Sequence, residues 1–301
     1  MLPLQIQILE RGWLSSNNIL IEDADGYTLI DSGYHTHAAQ TLALLQHTLG
    51  GKPLTRLVNT HCHSDHMGGN AAVQRVHCCR TSVPVGEAPA IAAWDDAALM
   101  LSCTGQNAER FAYDDTIAPG DRLQLGELEW QALAAPGHDM HALMFYSSQA
   151  RALISGDALW ENGFGVIFPE LLGQAGGFAA TRATLEAISR LDIATVIPGH
   201  GAPFANVGRA LETAFKRLDA YERDPPKHAR HALKVLLSFS LMIERRIAVA
   251  ELPRFLATRP IYSEVNRRFL HMPDADLRAY LVRDLERAGA LKIESDWLVV
   301  A

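Results

Sequence analysis

With 301 residues, 48% of them hydrophobic and 20% charged, the chain has the composition of a folded protein and not of a disordered one. Its formal net charge of −7 is uneven: residues 226–301 hold 13 Lys and Arg against 9 Asp and Glu, whereas residues 1–225 hold 14 against 25. An acidic body argues against tight nonspecific binding of a polyanion such as nucleic acid, and no apolar stretch reaches the ~18 residues that a membrane span needs.

The opening MLPLQIQILERGW lacks the basic region, apolar core and small-residue cleavage site of a secretory leader, so a cytoplasmic location is expected. Leu4–Leu9, Ile19–Ile21 and Tyr27–Ile30 read as strands, with Asp25-Gly26 as a hairpin signal. Thr36–Leu49 has apolar positions at helical spacing and stops at Gly50-Gly51. Arg56–Thr60 is a predicted strand. Cys62, Cys78, Cys79 and Cys103 match neither a zinc ribbon nor a disulfide framework and are expected to be reduced. Further strands are predicted at Leu128–Ala134, Ala142–Tyr146 and Ala152–Ser155, then a helix over Phe178–Leu191 and a short buried strand at Ala194–Ile197. Strands mixed with helices point to a layered α/β arrangement.

Pro225-Pro226 marks a change of composition and reads as a linker. Beyond it the pattern is helical. Asp274 is a candidate cap for a helix with Leu277, Tyr280, Leu281, Leu285 and Ala288 on one face, ended by Gly289. Leu291–Ile293 and Trp297–Val300 flank a turn at Glu294-Ser295-Asp296. Helices followed by a terminal hairpin resemble a winged helix. Two domains are therefore expected, 1–225 and 226–301.

The strongest local signal is Thr60-His61-Cys62-His63-Ser64-Asp65-His66-Met67-Gly68-Gly69. In extended chain, side chains at i and i+2 share a face, so His61, His63 and Asp65 can converge while His66 points elsewhere and can serve a second metal. Cys62 is expected on the opposite face, in a structural role. Three more candidates follow apolar runs and adjoin glycine: His138 in Pro136-Gly137-His138, Asp157 in Ser155-Gly156-Asp157, and His200 in Pro198-Gly199-His200-Gly201. Loops at one sheet edge can bring such residues together. Imidazole and carboxylate ligands suit zinc, and iron or manganese as well.

The order HCHSDH, PGHDMH, SGDALW, PGHG resembles the metallo-β-lactamase superfamily over roughly residues 4–205. The resemblance implies an αββα sandwich with two divalent metal ions at the sheet edges. It implies that His61, His63 and His138 bind one ion, that Asp65, His66 and His200 bind the other, and that Asp157 bridges them. Asp31, in Leu29-Ile30-Asp31-Ser32-Gly33, matches a family aspartate that supports the site without being a ligand. The implied chemistry is attack on the carbonyl of a small ester, thioester or lactone by a hydroxide held between the two ions, with Asp65 also orienting the nucleophile or passing a proton. The ligand order is most similar to the glyoxalase II branch, and residues 226–301 look like the winged-helix appendage of some members.

Other residues carry less. His141 is a candidate proton donor to the leaving group, or a substrate contact. His35 and His37 fit a loop or helix-cap role, and His77 beside Cys78-Cys79 a structural one. Trp160, Phe164 and Phe168 can line an apolar substrate pocket or pack a long loop, and Trp94 and Met100 lie in an insertion that can cover the site. Leu233, Leu236 and Leu237 form a run apolar enough for a homodimer face or a pocket wall. The competing functions are a metal-dependent nuclease, which the acidic body disfavours, a β-lactamase, which would need export, and a binding protein without turnover, which the full ligand set argues against. No membrane partner is expected.

Overall fold

The computed structural model describes residues 5–301, so Leu4, the expected start of the first strand, lies outside the described residues. One sheet holds β1 (Ile6–Leu9), β2 (Asn18–Asp23), β3 (Gly26–Ile30), β4 (Leu54–Val58), β5 (Arg80–Pro84) and β6 (Asp115–Ile117), side by side in chain order. The pairings β1–β2 and β2–β3 are antiparallel, and those from β3 to β6 are parallel. Helices α1 (Ala38–Leu49), α2 (Ser64–Met67) and α3 (Asn70–His77) fall between its strands, and α4 (Ala88–Ala93) and α5 (Leu101–Thr104) occupy the insertion before β6.

The second sheet has the order β11-β10-β9-β8-β7, with β7 (Arg122–Leu125), β8 (Leu128–Ala134), β9 (Leu143–Ser147), β10 (Ala152–Gly156) and β11 (Thr195–Pro198). Only β10–β11 is parallel in it. Helices α6 (Phe168–Leu171) and α7 (Gly177–Ser189) separate its last two strands, and α8 (Val207–Arg223) follows β11.

Side-chain alternation turns these sheets into a four-layer sandwich. Ile19, Ile21, Ile30 and Val58 of the first sheet meet Ala132, Phe145, Ile154 and Ile197 of the second in a shared core. Their neighbours Leu20, Leu29 and Leu57 point the other way, onto Leu45 and Leu49 of α1 and Val73 of α3. On the far side, Met144, Leu153 and Val196 pack against Leu185 and Ile188 of α7 and Ala214 and Leu218 of α8. A strand buried on both faces needs an apolar residue at nearly every position, which is why these segments read as continuous apolar runs.

The proline pair differs from expectation. Pro225-Pro226 is no linker: it opens α9 (Pro225–Glu244), and only Asp224 separates this helix from α8. A proline in the first turn loses an N–H that has no intrahelical partner there, so the pair starts a helix without cost to its ladder. The remaining elements are β12 (Arg246–Ala248), α10 (Leu252–Ala257), α11 (Pro260–Val265), α12 (Asp274–Arg287), β13 (Leu291–Glu294) and β14 (Trp297–Val300), the strands forming a small sheet ordered β12-β14-β13. This helix–strand–helices–hairpin order is that of a winged helix. Asp274 is the first residue of α12 and not its cap, which is Pro273; its carboxylate sits at the positive end of the helix dipole. Leu233, Leu236 and Leu237 are buried in the chain's own core with Leu252, Leu281 and Leu298. Phe168 and Leu171 of α6 enter the same core, so the C-terminal elements pack directly on the segment that follows β10. Among the described residues, no helix is long and apolar enough to cross a membrane.

Candidate metal centre

Strands β4, β8, β10 and β11 end at the same edge of the sandwich, and each is followed by a loop carrying a candidate ligand. His61 and His63 follow β4, His138 follows β8, Asp157 follows β10, and His200 follows β11. A backbone hydrogen bond from Leu143 N to the Thr60 carbonyl, 2.8 Å long, ties the two sheets together at this edge. Gly199 N donates to the Gly156 carbonyl at 2.8 Å, which sets the Asp157 and His200 loops side by side.

Two groups of potential ligand atoms result. His61, His63 and His138 form one, and Asp65, His66, Asp157 and His200 the other, with the atoms of each group within 4.8 Å of one another. All seven residues named from the sequence are therefore brought together. The period-two reading of HCHSDH fails for Asp65, however. The chain turns into α2 at Ser64, so Asp65 swings away from His61 and His63 and joins His66. Asp157 stands between the groups: its Oδ1 lies 3.4 Å from His66 Nε2, and its Oδ2 lies 3.5 Å from His138 Nε2.

The ring nitrogens facing away from the centre are held. His66 Nδ1 is 2.8 Å from Asp31 Oδ2, His138 Nδ1 is 2.6 Å from the Val166 carbonyl, and His63 Nε2 is 3.5 Å from Asp139 Oδ2. Such partners fix the tautomer and leave the opposite nitrogen as a lone-pair donor. Two nitrogens facing inward are exceptions to normal polar satisfaction: His61 Nε2 and His66 Nε2 are buried with no hydrogen-bond partner among the described residues. Buried polar atoms are nearly always paired, so donors left bare and pointing at one another fit a cation.

Electrostatics agree with that fit. Burial, with repulsion from neighbouring imidazoles, holds His61 well below the usual histidine range and brings His63 down to about 4. Neutral imidazole is the form that binds a metal. For Asp157, burial opposes the charge, but His200, His66 and His138 outweigh it and hold the carboxyl well below the usual range. The centre thus keeps Asp65 and Asp157 charged and His61 and His63 neutral, whereas for His66 burial is outweighed by Asp31, Asp157 and Asp65, which hold it well above the usual range, the excess negative charge that a divalent ion would answer.

Asp31 sits behind the centre. It accepts from Thr60 N at 2.9 Å and Thr60 Oγ1 at 2.8 Å as well as facing His66. Cys62 is buried on the other side with Met67 and Ile91. Over the centre opens a cavity of about 720 Å³. Trp160, Phe164, Phe168 and Met100 line it; Trp94 instead packs on Phe111, and exposed His141 borders an adjoining cavity beside Gly86 and Glu87 that shares His63, His138, Met100 and Phe168 with the first. His37 bonds through Nδ1 to Ser15 Oγ at 2.9 Å, in keeping with a loop role.

Three contributors escaped the sequence reading. Trp13 stacks on the His200 ring with centroids 5.5 Å apart. Asn17 donates from Nδ2 to the carbonyls of Pro198 and Gly201 at 3.0 and 2.7 Å, pinning the His200 loop. Asp139 holds His63. Only Asp139 offered a signal, by adjoining His138; a lone tryptophan and an asparagine in a Ser-Ser-Asn-Asn run look like ordinary loop.

The glycine of Pro198-Gly199-His200 has a measurable role. A Cβ there would overlap Asp157 Oδ1 and crowd His66 Cε1. Gly199→Ala is expected to displace Asp157 and lose about 10²-fold in turnover, with a matching fall in metal content measured by elemental analysis of the purified protein. Unchanged metal content and rate would show that the loop yields freely.

The chain is similar over 124 residues to the hydroxyacylglutathione hydrolase of Rhodospirillum rubrum, with 27% identity, and that match spans 41% of each protein. The hydroxyacylglutathione hydrolase of Polaromonas sp. is 28% identical over 234 residues, covering 74% of this chain and 76% of its own length. A metallo-beta-lactamase family protein from Thermus thermophilus superposes with a TM-score of 0.59 at 18% identity, covering 99% of both chains, and so shares the fold through its C-terminal elements. The model of the Metallo-beta-lactamase superfamily matches residues 11–200, the span that holds every one of the ligand-bearing loops, and the chain belongs to that superfamily.

Proposed function

We propose that the protein is a metal-dependent hydrolase with two divalent ions, acting on a small carboxylic thioester, ester or lactone. The observation that carries this reading is the position of Asp157, with one carboxylate oxygen turned to each ligand group. His61, His63 and His138 hold one ion in this reading, Asp65, His66 and His200 the other, and Asp157 both. Zinc fits the donors first, and iron or manganese also fit. When bound, such ions act as Lewis acids that polarise a carbonyl and make water nucleophilic near neutral pH.

The chain's own residues do the rest. Trp160, Phe164 and Phe168 shield the centre from bulk water and position the acyl group. Asp65 lies on the cavity wall, 3.1 Å from His200 Nε2, and is the carboxylate placed to take the proton of the attacking water. In a thioester the water oxygen joins the acyl carbon, the C–S bond breaks, and the sulfur leaves with that proton. Asp65 has this part, and His141, on an adjoining cavity that also reaches His63 and His138, is the second candidate for giving the leaving sulfur its proton. Residues 1–225 form the hydrolytic body, and residues 226–301 a winged-helix-like domain whose helix α9 closes one side of the cavity. The hydroxyacylglutathione hydrolases among the relatives make thioesters the first substrates to try.

Metal analysis combined with a substrate panel tests the reading. Purified protein is expected to carry about two ions per chain, to lose activity and thermal stability on chelation, and to regain both on reloading. A fully loaded protein that opens no thioester, ester or lactone, yet cleaves phosphodiesters, would overturn it.

A further inference from the structure

We propose that the cavity selects an extended hydrocarbon acyl group, so that the substrate is a medium- or long-chain acyl thioester and not a short hydroxyacyl one. This rests on the hydrolase reading and names its substrate class. The cavity's volume of about 720 Å³ lies in the range that encloses drug-sized ligands, far more than a two- or three-carbon acyl group fills.

The wall facing the metal centre is hydrocarbon. Helix α9 turns Val235, Phe239 and Met242 into the cavity, at the i, i+4, i+7 spacing of one helical face. Leu99 and Met100 approach from the insertion between β5 and β6. Phe168 carries the apolar surface up to the metal ligands, with its ring centroid 5.4 Å from His63 and 5.5 Å from His138. A chain attached to a carbonyl at the centre would run along this surface.

Part of the polar lining is already engaged, and Glu161, Asn162 and Arg217 are gathered at the Trp160 loop. Thr104 Oγ1 donates to the Met100 carbonyl at 2.6 Å, and the Gln106 side chain is bonded to Ser64. The polar side chains of α9 on this cavity begin in its earlier turns, at His231, which burial with Arg217 and Lys234 brings down to about 4, and at Lys234, which is paired with Asp284 at 2.9 Å. One helix thus presents polar residues first and hydrocarbon after. Val235 is 38% exposed and Trp13 is 56% exposed, although both line this concave surface. Apolar side chains that face solvent within one concavity are what an apolar ligand would cover.

The test uses metal-loaded full-length protein and two matched series with acyl chains of two to twelve carbons on one small thiol. The first series contains hydrolysable thioesters, and the second the corresponding non-hydrolysable thioethers, followed by calorimetry. Each added methylene is expected to raise kcat/KM and thioether affinity by roughly fourfold until the cavity is filled. Met242→Glu, which puts a charge into the wall, is expected to flatten both slopes by cutting the longest-to-shortest ratio at least tenfold. Affinity that stays flat or falls with chain length in the unaltered protein overturns the acyl inference. Affinity that rises without turnover of any member leaves the acyl pocket standing and overturns the hydrolase reading alone.

Discussion

Replacing Asp157 by alanine is expected to lower turnover by at least about 10³-fold and to leave at most one of two bound ions per chain. The size of the effect follows from geometry. The carboxylate is buried, with its two oxygens 3.4 and 3.5 Å from histidine nitrogens of different ligand groups. Removing it strips a donor from both groups and deletes a negative charge that the proposed pair of cations would need. It also frees Trp160, whose Nε1 donates to Asp157 Oδ1 at 3.2 Å. Asp157→Asn keeps the volume and one acceptor but not the charge, so it should retain more fold and little more activity. Elemental analysis gives metal content, steady-state kinetics gives kcat/KM, and circular dichroism checks that the sandwich persists. A folded alanine variant that keeps two ions and full turnover would remove Asp157 from the centre.

Asp31→Ala is expected to cost about 3–5 kcal/mol of stability and to weaken metal binding by the Asp65, His66 and His200 group 10- to 100-fold, roughly what loss of a ligand's hydrogen-bond partner costs. The Asp31 carboxylate is 2% exposed and accepts from Thr60 N, Thr60 Oγ1 and His66 Nδ1. Alanine leaves these groups buried and unpaired. The backbone adds a further cost, because Asp31 has φ +56, a region that aspartate and asparagine tolerate better than alanine. Asp31→Asn separates the two causes. It suits the backbone but sets an amide against donors it cannot all satisfy, so its stability should fall between wild type and alanine while its metal affinity stays low. Denaturant unfolding of the metal-free proteins reads the first effect, and calorimetric metal titration the second. Equal metal affinity in all three proteins would confine Asp31 to a structural part.

The sandwich was legible where burial on both faces forces apolar runs. Leu128–Ala134 is a strand with the bounds the sequence predicts, and the strand expected at Ala194–Ile197 is β11 at Thr195–Pro198. Legibility failed where two local meanings compete. Pro225-Pro226 can mark a linker or a first helical turn, and only the packing of Leu233 and Leu237 beneath it decides. In HCHSDH the identity of the ligating residue types is plain, but their grouping depends on the helical turn at Ser64, which four residues cannot announce. Trp13 was beyond reach for a different reason. Its partner His200 is far along the chain, and nothing within a loop encodes which distant ring it will meet.

Each ligand group draws on both halves of the sandwich. The first sheet supplies His61, His63, Asp65 and His66; the second supplies His138, Asp157 and His200. Neither half of the polypeptide can build an ion site alone, so a cation has nothing to grip until segments 75 residues apart for one group, and up to 135 for the other, have met correctly. Loading with metal then acts as a late inspection of assembly: it rewards only chains whose halves have docked in the right register, and leaves misdocked ones without the reinforcement.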